Sequence, residues 1–268
     1  MLKQRIITAI IGIPLLIAII WFGEPWFTLL VIVMAGLGSF EFYRMASHLK
    51  IQPITYLGMT WILLLILSPH CPYPITTPFL ITSAIVISLI WLLFRPQREQ
   101  AFGNWAWTIA GILYIGWMLS YWVSLRSLEA GRNLVFWAMF TTFASDTSAF
   151  FIGRTRGKQP LAPSISPGKT WEGAIGGLLA SIIASLILGI IFPLPFNYWQ
   201  AALLGGVISV FAQLGDLVES LLKRNTGAKD ASKLIPGHGG MLDRLDSLIF
   251  TGVVVYYCVV LATLWSTL

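Results

Sequence analysis

Residues 198–222 read YWQAALLGGVISVFAQLGDLVESLL. A helix needs roughly 20 mostly apolar residues to cross a bilayer, and this stretch supplies them. Two acids interrupt it, Asp216 and Glu219. They stand three residues apart and therefore share one helical face. An ionisable group inside such a run is costly and marks function by default. Most of this stretch therefore reads as membrane helix, and its last turns as the edge of a site.

The same pattern repeats outward from there. Nine candidate spans fall at about 5–22, 26–47, 54–68, 77–94, 105–125, 133–153, 171–192, 198–222 and 245–266, the third being the shortest. The chain has 268 residues, of which 57% are hydrophobic and 10% charged. Globular domains carry about a quarter charged residues, so one water-soluble core cannot absorb this much apolar surface. The expected fold is all-α, a polytopic membrane protein forming a single membrane domain over residues 1–268. Trp21, Trp26, Trp105, Trp199 and Trp265 lie near run ends, where amphipathic rings prefer the headgroup layer. Gly176-Gly177 and Gly205-Gly206 either bring helices close or reflect the ordinary tolerance of membrane helices for glycine. Lys3 and Arg5 precede a long apolar run with no small-residue cleavage site, so the first run is expected to stay as an anchor. Cys71 and Cys258 have neither metal-type nor redox-type spacing.

Charge sets the expected orientation. Nine alternating spans deliver fifteen of the 17 Lys and Arg to one side and leave Arg126 and Arg132 on the other. The positive-inside bias places the rich side and the amino terminus in the cytoplasm and the carboxyl terminus outside. The formal charge of +6 thus follows from topology and from attraction to anionic lipid. A lipid bilayer is expected as partner, and nucleic acid is not.

Chemistry gathers on the expected cytoplasmic side. Asp146 lies deep in the sixth run, as a site residue or as a buried hydrogen-bond hub. The loop 153–173, GRTRGKQPLAPSISPGKTWEG, ends in Gly168-Lys169-Thr170. It is not a P-loop, because Pro163 occupies the first glycine position and no strand is expected before it. A helix start near Trp171, with Lys169 and Thr170, can hold a phosphate. After the eighth run comes SLLKRNTGAKDASKLIPGHGGMLDRLDS, residues 220–247. Asp243 and Asp246 repeat the three-residue spacing of Asp216 and Glu219. Carboxylates on two successive helices suit Mg²⁺, which takes one or two of them plus substrate phosphates. The glycine turn around His238 lets backbone N–H groups approach an anion. His238 itself is open between general base, phosphate donor and plain loop residue. Glu41 and Arg44, three apart in the second run, read as a local helix pair or as site lining.

At these residues the sequence resembles the CDP-diglyceride synthase family, also called phosphatidate cytidylyltransferases. The resemblance is carried by Ser220, Lys223-Arg224, Lys229-Asp230, Ser232, Ile235-Pro236, His238-Gly239-Gly240, Met241 and Asp243-Arg244-Leu245-Asp246, with no departure in this signature. The Asp146 segment, Ser166 to Gly173, and Gly215 to Ser220 are similar to the family as well. Residues 1–100 resemble it only in hydropathy, while 133–268 hold the catalytic helices and cytoplasmic loops.

The resemblance implies that CTP and phosphatidate condense to CDP-diacylglycerol and pyrophosphate, in phospholipid biosynthesis at a bacterial inner membrane. It implies catalytic roles for Asp216, Asp243, Lys229 and Arg244. Substrate contacts would come from Asp146, Ser166, Lys169, Thr170, Lys223, Arg224, His238, Gly239 and Gly240. Mg²⁺ would sit on Asp216 and Asp243, with room for a second cation near Glu219 and Asp246. A homodimer is compatible with it. Three rivals are a CTP-dependent kinase of a polyprenol or phytol, an ion-coupled transporter, and a non-catalytic membrane scaffold, which leaves the cluster of glycines, cations and acids without a reason. The transporter predicts acids nearer mid-span, whereas most acids here stand at inner helix ends.

Overall fold

The computed structural model describes residues 2–94, 100–228, 231–232 and 239–266, and the side chains of 10 and 12–262 within them. Helices α1 (Leu2–Phe22), α2 (Trp26–Ala46), α3 (Thr55–Leu67) and α4 (Thr76–Leu93) come first. Helix α5 (Ala101–Gly111) runs through a π-helical turn, Ile112–Trp117, into α6 (Met118–Arg126). Then follow α7 (Gly131–Arg156), strands β1 (Pro160–Ala162) and β2 (Ser166–Thr170), α8 (Trp171–Ile191), α9 (Tyr198–Asn225) and α10 (Leu242–Ser266).

The chain is an all-α polytopic membrane protein. Among the described residues seven helices are long and apolar enough to cross a membrane. Two shorter apolar helices, Gly12–Phe22 and Thr55–His70, fall where the first and third spans were expected. The exterior is apolar in a way water would penalise. On α8, Ile175, Leu179, Ile183 and Ile187 recur every fourth residue and are each more than half exposed.

The chain divides into two compact units, Met1–Val123 with Asn225–Leu245, and Ser124–Arg224 with Asp246–Leu268. In the first, α2 is the hub. Tyr43 donates its hydroxyl to the carbonyl of Thr108, 3.0 Å away. The Thr108 hydroxyl accepts the N–H of Ile54 at 2.8 Å. A single threonine thus ties α2, α5 and the entry to α3.

In the second unit small residues and hydroxyls join the helices, as expected where lipid removes the hydrophobic drive between them. A Cβ on Gly177 would come within 3.0 Å of the Ser145 carbonyl and the Ala149 side chain. Gly176 is crowded by Ile152 and Gly205 by Ser181 and Ser185, whereas Gly206 has only ordinary contacts. Three of the four paired glycines therefore do bring helices close. Ser145 and Ser209 share a hydrogen bond of 2.7 Å between α7 and α9, and Thr142 donates to Thr251 of α10.

The segment before α8 differs from expectation. A strand does precede Gly168-Lys169-Thr170, which itself lies in β2, and the two strands pair antiparallel with Pro160 opposite Thr170 and Ala162 opposite Ser166. Glu172 closes the hairpin's open end by accepting the N–H groups of Lys158 and Gln159. The hairpin has no alternating pattern and carries Pro160 and Pro167, which mask strand character in a sequence. The exclusion of a P-loop stands, since Pro163 still lacks the freedom of the missing glycine.

Candidate metal and phosphate site

Helix α9 brings Asp216 and Glu219 to one face, and the second turn of α10 adds Asp246. One carboxylate oxygen from each of the three lies within 4.8 Å of the other two. Close approach of the backbones makes this possible. A Cβ on Gly215 would stand 2.4 Å from the Asp246 carbonyl oxygen, so only glycine lets α9 lie this near α10. Glu219 is fully buried and Asp216 and Asp246 partly so.

Three carboxylates this close repel one another strongly where water is scarce. Two lysines offset part of that charge. Lys169 of β2 places Nζ 2.8 Å from Asp216 Oδ2, and Lys223, one turn beyond Glu219, pairs with its Oε2. Ser220 also donates to Asp216 Oδ1 at 3.4 Å. A hard divalent cation among oxygens of this kind is the ordinary resolution of such crowding, so the residues fit a Mg²⁺ ion.

A cavity of about 340 Å³ opens beside the trio, lined by Asp146, Phe150, Arg154, Leu161, Lys169 and Asp216 among others. One wall is cationic and another apolar. Gly168, Thr170 and Gln213 complete the polar part. The Thr170 hydroxyl caps α8 by accepting the Gly173 N–H at 3.2 Å. This is the helix start expected near Trp171, whose N–H donates to the Gln159 carbonyl at 3.0 Å.

The other expected site residues are placed as follows. Ser166 opens β2 opposite Ala162. Lys223 and Arg224 stand in the last turn of α9, where Arg224 Nε donates to the Ile165 carbonyl at 3.2 Å and ties the hairpin to the helix. Lys229 and His238 lie outside the described residues. Gly239, Gly240, Asp243 and Arg244 belong to the first unit. There Asp243 Oδ2 accepts the N–H groups of Gly240 at 2.8 Å and Ala231 at 3.2 Å. Gly239 has a φ of +84°, a conformation other residues adopt at a cost. The acidic trio therefore contains Asp216, Glu219 and Asp246 from the expected set.

Two polar cavity residues, Gln213 and Arg154, are not among the expected site residues. Gln213 is a polar residue three before Asp216 in an apolar run, and that spacing is the signal that finds it. Arg154 counted only as a topology charge. Of the two readings open for Glu41 and Arg44, a local helix pair or site lining, the pair is not formed among the described residues. Instead Glu41 Oε1 accepts the Met241 N–H at 3.0 Å and Oε2 the Leu242 N–H at 2.8 Å.

Comparison with known proteins adds the chemistry. A family model described as "Cytidylyltransferase family" matches residues 3–262. The chain is 32% identical over 265 residues to the phosphatidate cytidylyltransferase of Bacillus subtilis (strain 168), covering 97% of this chain and 98% of the relative. It is 34% identical over 288 residues to the protein of that name from Synechocystis sp., covering 96% of each. With the one from Brucella abortus biovar 1 the identity is 33%, covering 95% of this chain and 92% of the relative.

Proposed function

The chain belongs to the cytidylyltransferase family, and from that premise we propose that it transfers the cytidylyl group of CTP to phosphatidate. A phosphate oxygen of the lipid attacks the α-phosphorus of CTP. The bond from that phosphorus to the β-phosphate oxygen breaks, pyrophosphate leaves, and CDP-diacylglycerol forms. The attacking phosphate is already ionised at neutral pH, so the step needs no strong base. It needs positioning and charge neutralisation.

The observation that carries the reading is the acidic trio set against Lys169 at the mouth of a cavity with cationic and apolar walls. Asp216, Glu219 and Asp246 would hold Mg²⁺, with a second cation as the fuller complement, and Asp243 would keep the part in the transfer that the family resemblance implies. Bound there, the metal neutralises phosphate charge. Lys169, which pairs with Asp216, would meet a substrate phosphate beside the residues that would hold the metal. Arg154 and Lys169 attract phosphate beside Thr170 at the start of α8, and Phe150 and Leu161 receive the first carbons of the acyl chains. Ser166, Lys223, Arg224, Lys229, His238, Gly239, Gly240 and Arg244 complete the binding of the two anionic substrates, and Asp146 orders the cavity's polar side. The reaction face is cytoplasmic, in a bacterial inner membrane.

The test uses purified protein, Mg²⁺, phosphatidate and CTP carrying a labelled α-phosphate. Label in the lipid with one pyrophosphate per turnover is expected. Label remaining in free CDP would replace this reading with γ-phosphoryl transfer to a lipid alcohol.

A further inference from the structure

Glu41 lies in α2, far from the signature in sequence, yet its carboxylate is spent on the signature loop. It is 2% exposed. Ser232 donates its hydroxyl to Oε1, and the backbone N–H groups of Met241 and Leu242 donate to Oε1 and Oε2. Leu242 is the first residue of α10 and Met241 immediately precedes it, so no intrahelical carbonyl is available to either N–H group. Gly240 is shaped to this arrangement, since a Cβ there would come within 2.6 Å of Glu41 Oε2. Asp243 completes the arrangement from the other side by accepting the N–H groups of Ala231 and Gly240. A carboxylate with three donors, all from one loop, has no local role in α2 itself.

We infer that Glu41 is a positioning residue for cytidylyl transfer: it anchors Ser232 and the start of α10, and so fixes where Asp243 and Arg244 stand. It touches no reacting atom. Its work is to hold Gly240 and the start of α10 in one arrangement, because small misplacement of charged groups is felt in the transition state more than in substrate binding. The inference rests on the reading that Asp243 and Arg244 take part in the transfer.

The experiment measures kcat, KM for CTP and thermal unfolding for full-length Glu41→Gln in detergent with phosphatidate and Mg²⁺. The amide keeps one acceptor but presents N–H to a second donor, so one anchor is lost. The expected result is a kcat per folded molecule lower by about 10- to 30-fold, KM within about twofold, and a modest fall in unfolding temperature, since one buried donor loses its acceptor. A role in folding alone would lower the unfolding temperature and leave kcat per folded molecule intact, and that outcome overturns the inference. Should Glu41→Gln fail to fold, Glu41→Asp, which withdraws the carboxylate by one methylene, must show the same split. Failure of both to fold assigns Glu41 to assembly and overturns it equally. Asp243→Asn is measured alongside. Wild-type turnover there removes the premise, whereas an inactive Asp243→Asn with a fully active Glu41→Gln defeats this inference alone.

Discussion

Glu41 and Glu219 are both glutamates sunk in membrane helices, 2% and 0% exposed, and they keep different company. Glu41 is met by neutral N–H and O–H donors. Glu219 is met by Lys223 and by two further carboxylates, Asp216 and Asp246. Burial of a carboxylate is tolerable in either setting, but for different reasons. Hydrogen bonds satisfy the first within the protein. The second keeps excess negative charge that protein groups only partly cancel, which leaves a use for a metal cation. Burial and residue type alone do not separate an anchor from a ligand; the neighbours do.

The contrast can be broken or sharpened by experiment. Asp216→Asn should lower turnover about 10³-fold or more, which corresponds to roughly 4 kcal/mol, without unfolding the protein. Near-normal turnover would show that the trio is no more a metal site than Glu41 is. Next in size, Lys223→Met leaves Glu219 buried without its lysine. The cost should be about 3 kcal/mol of stability, at the low end for such pairs because Lys223 keeps 13% exposure. Adding Glu219→Gln should recover most of it, and a double variant as unstable as the single one would mean the pair is not coupled. Third, Mg²⁺ should raise the unfolding temperature of the wild type but not of Asp216→Asn. Saturation at 100 times the dissociation constant is worth about 2.7 kcal/mol. An equal rise in both proteins would place the ion elsewhere. The smallest effect is expected from Thr170→Ala, which removes the α8 cap for about 1 kcal/mol, read by thermal unfolding. No change would mean that the hairpin alone holds the start of α8.

Hydropathy made the long helices legible, because roughly 20 apolar residues leave few alternatives at a bilayer. It did not reveal the π-helical turn at Ile112–Trp117, which changes hydrogen-bond register without changing composition. The pairing of Asp216 with Glu219 was legible from the period of the helix. The arrival of Asp246 beside them depends on Gly215 admitting the α10 backbone, and a single sequence does not say which helix a glycine faces. Glu41 illustrates the same limit. Its nearest charged neighbour in sequence is Arg44, but its partners stand about 200 residues away. The β1–β2 hairpin escaped notice because its order comes from Glu172 and Gln159 closing the ends rather than from strand-forming side chains.

That hairpin has a consequence for traffic. Its two strands pair with each other, and Glu172 and Arg224 take backbone groups at its ends, so a polar ribbon carrying Lys169 can rest where hydrocarbon gives way to headgroups. On the proposed reaction, Lys169 would there be within reach of a reactant gliding sideways in the leaflet and of another diffusing down from solution. Two molecules with incompatible solubilities can then meet without either having to change its medium.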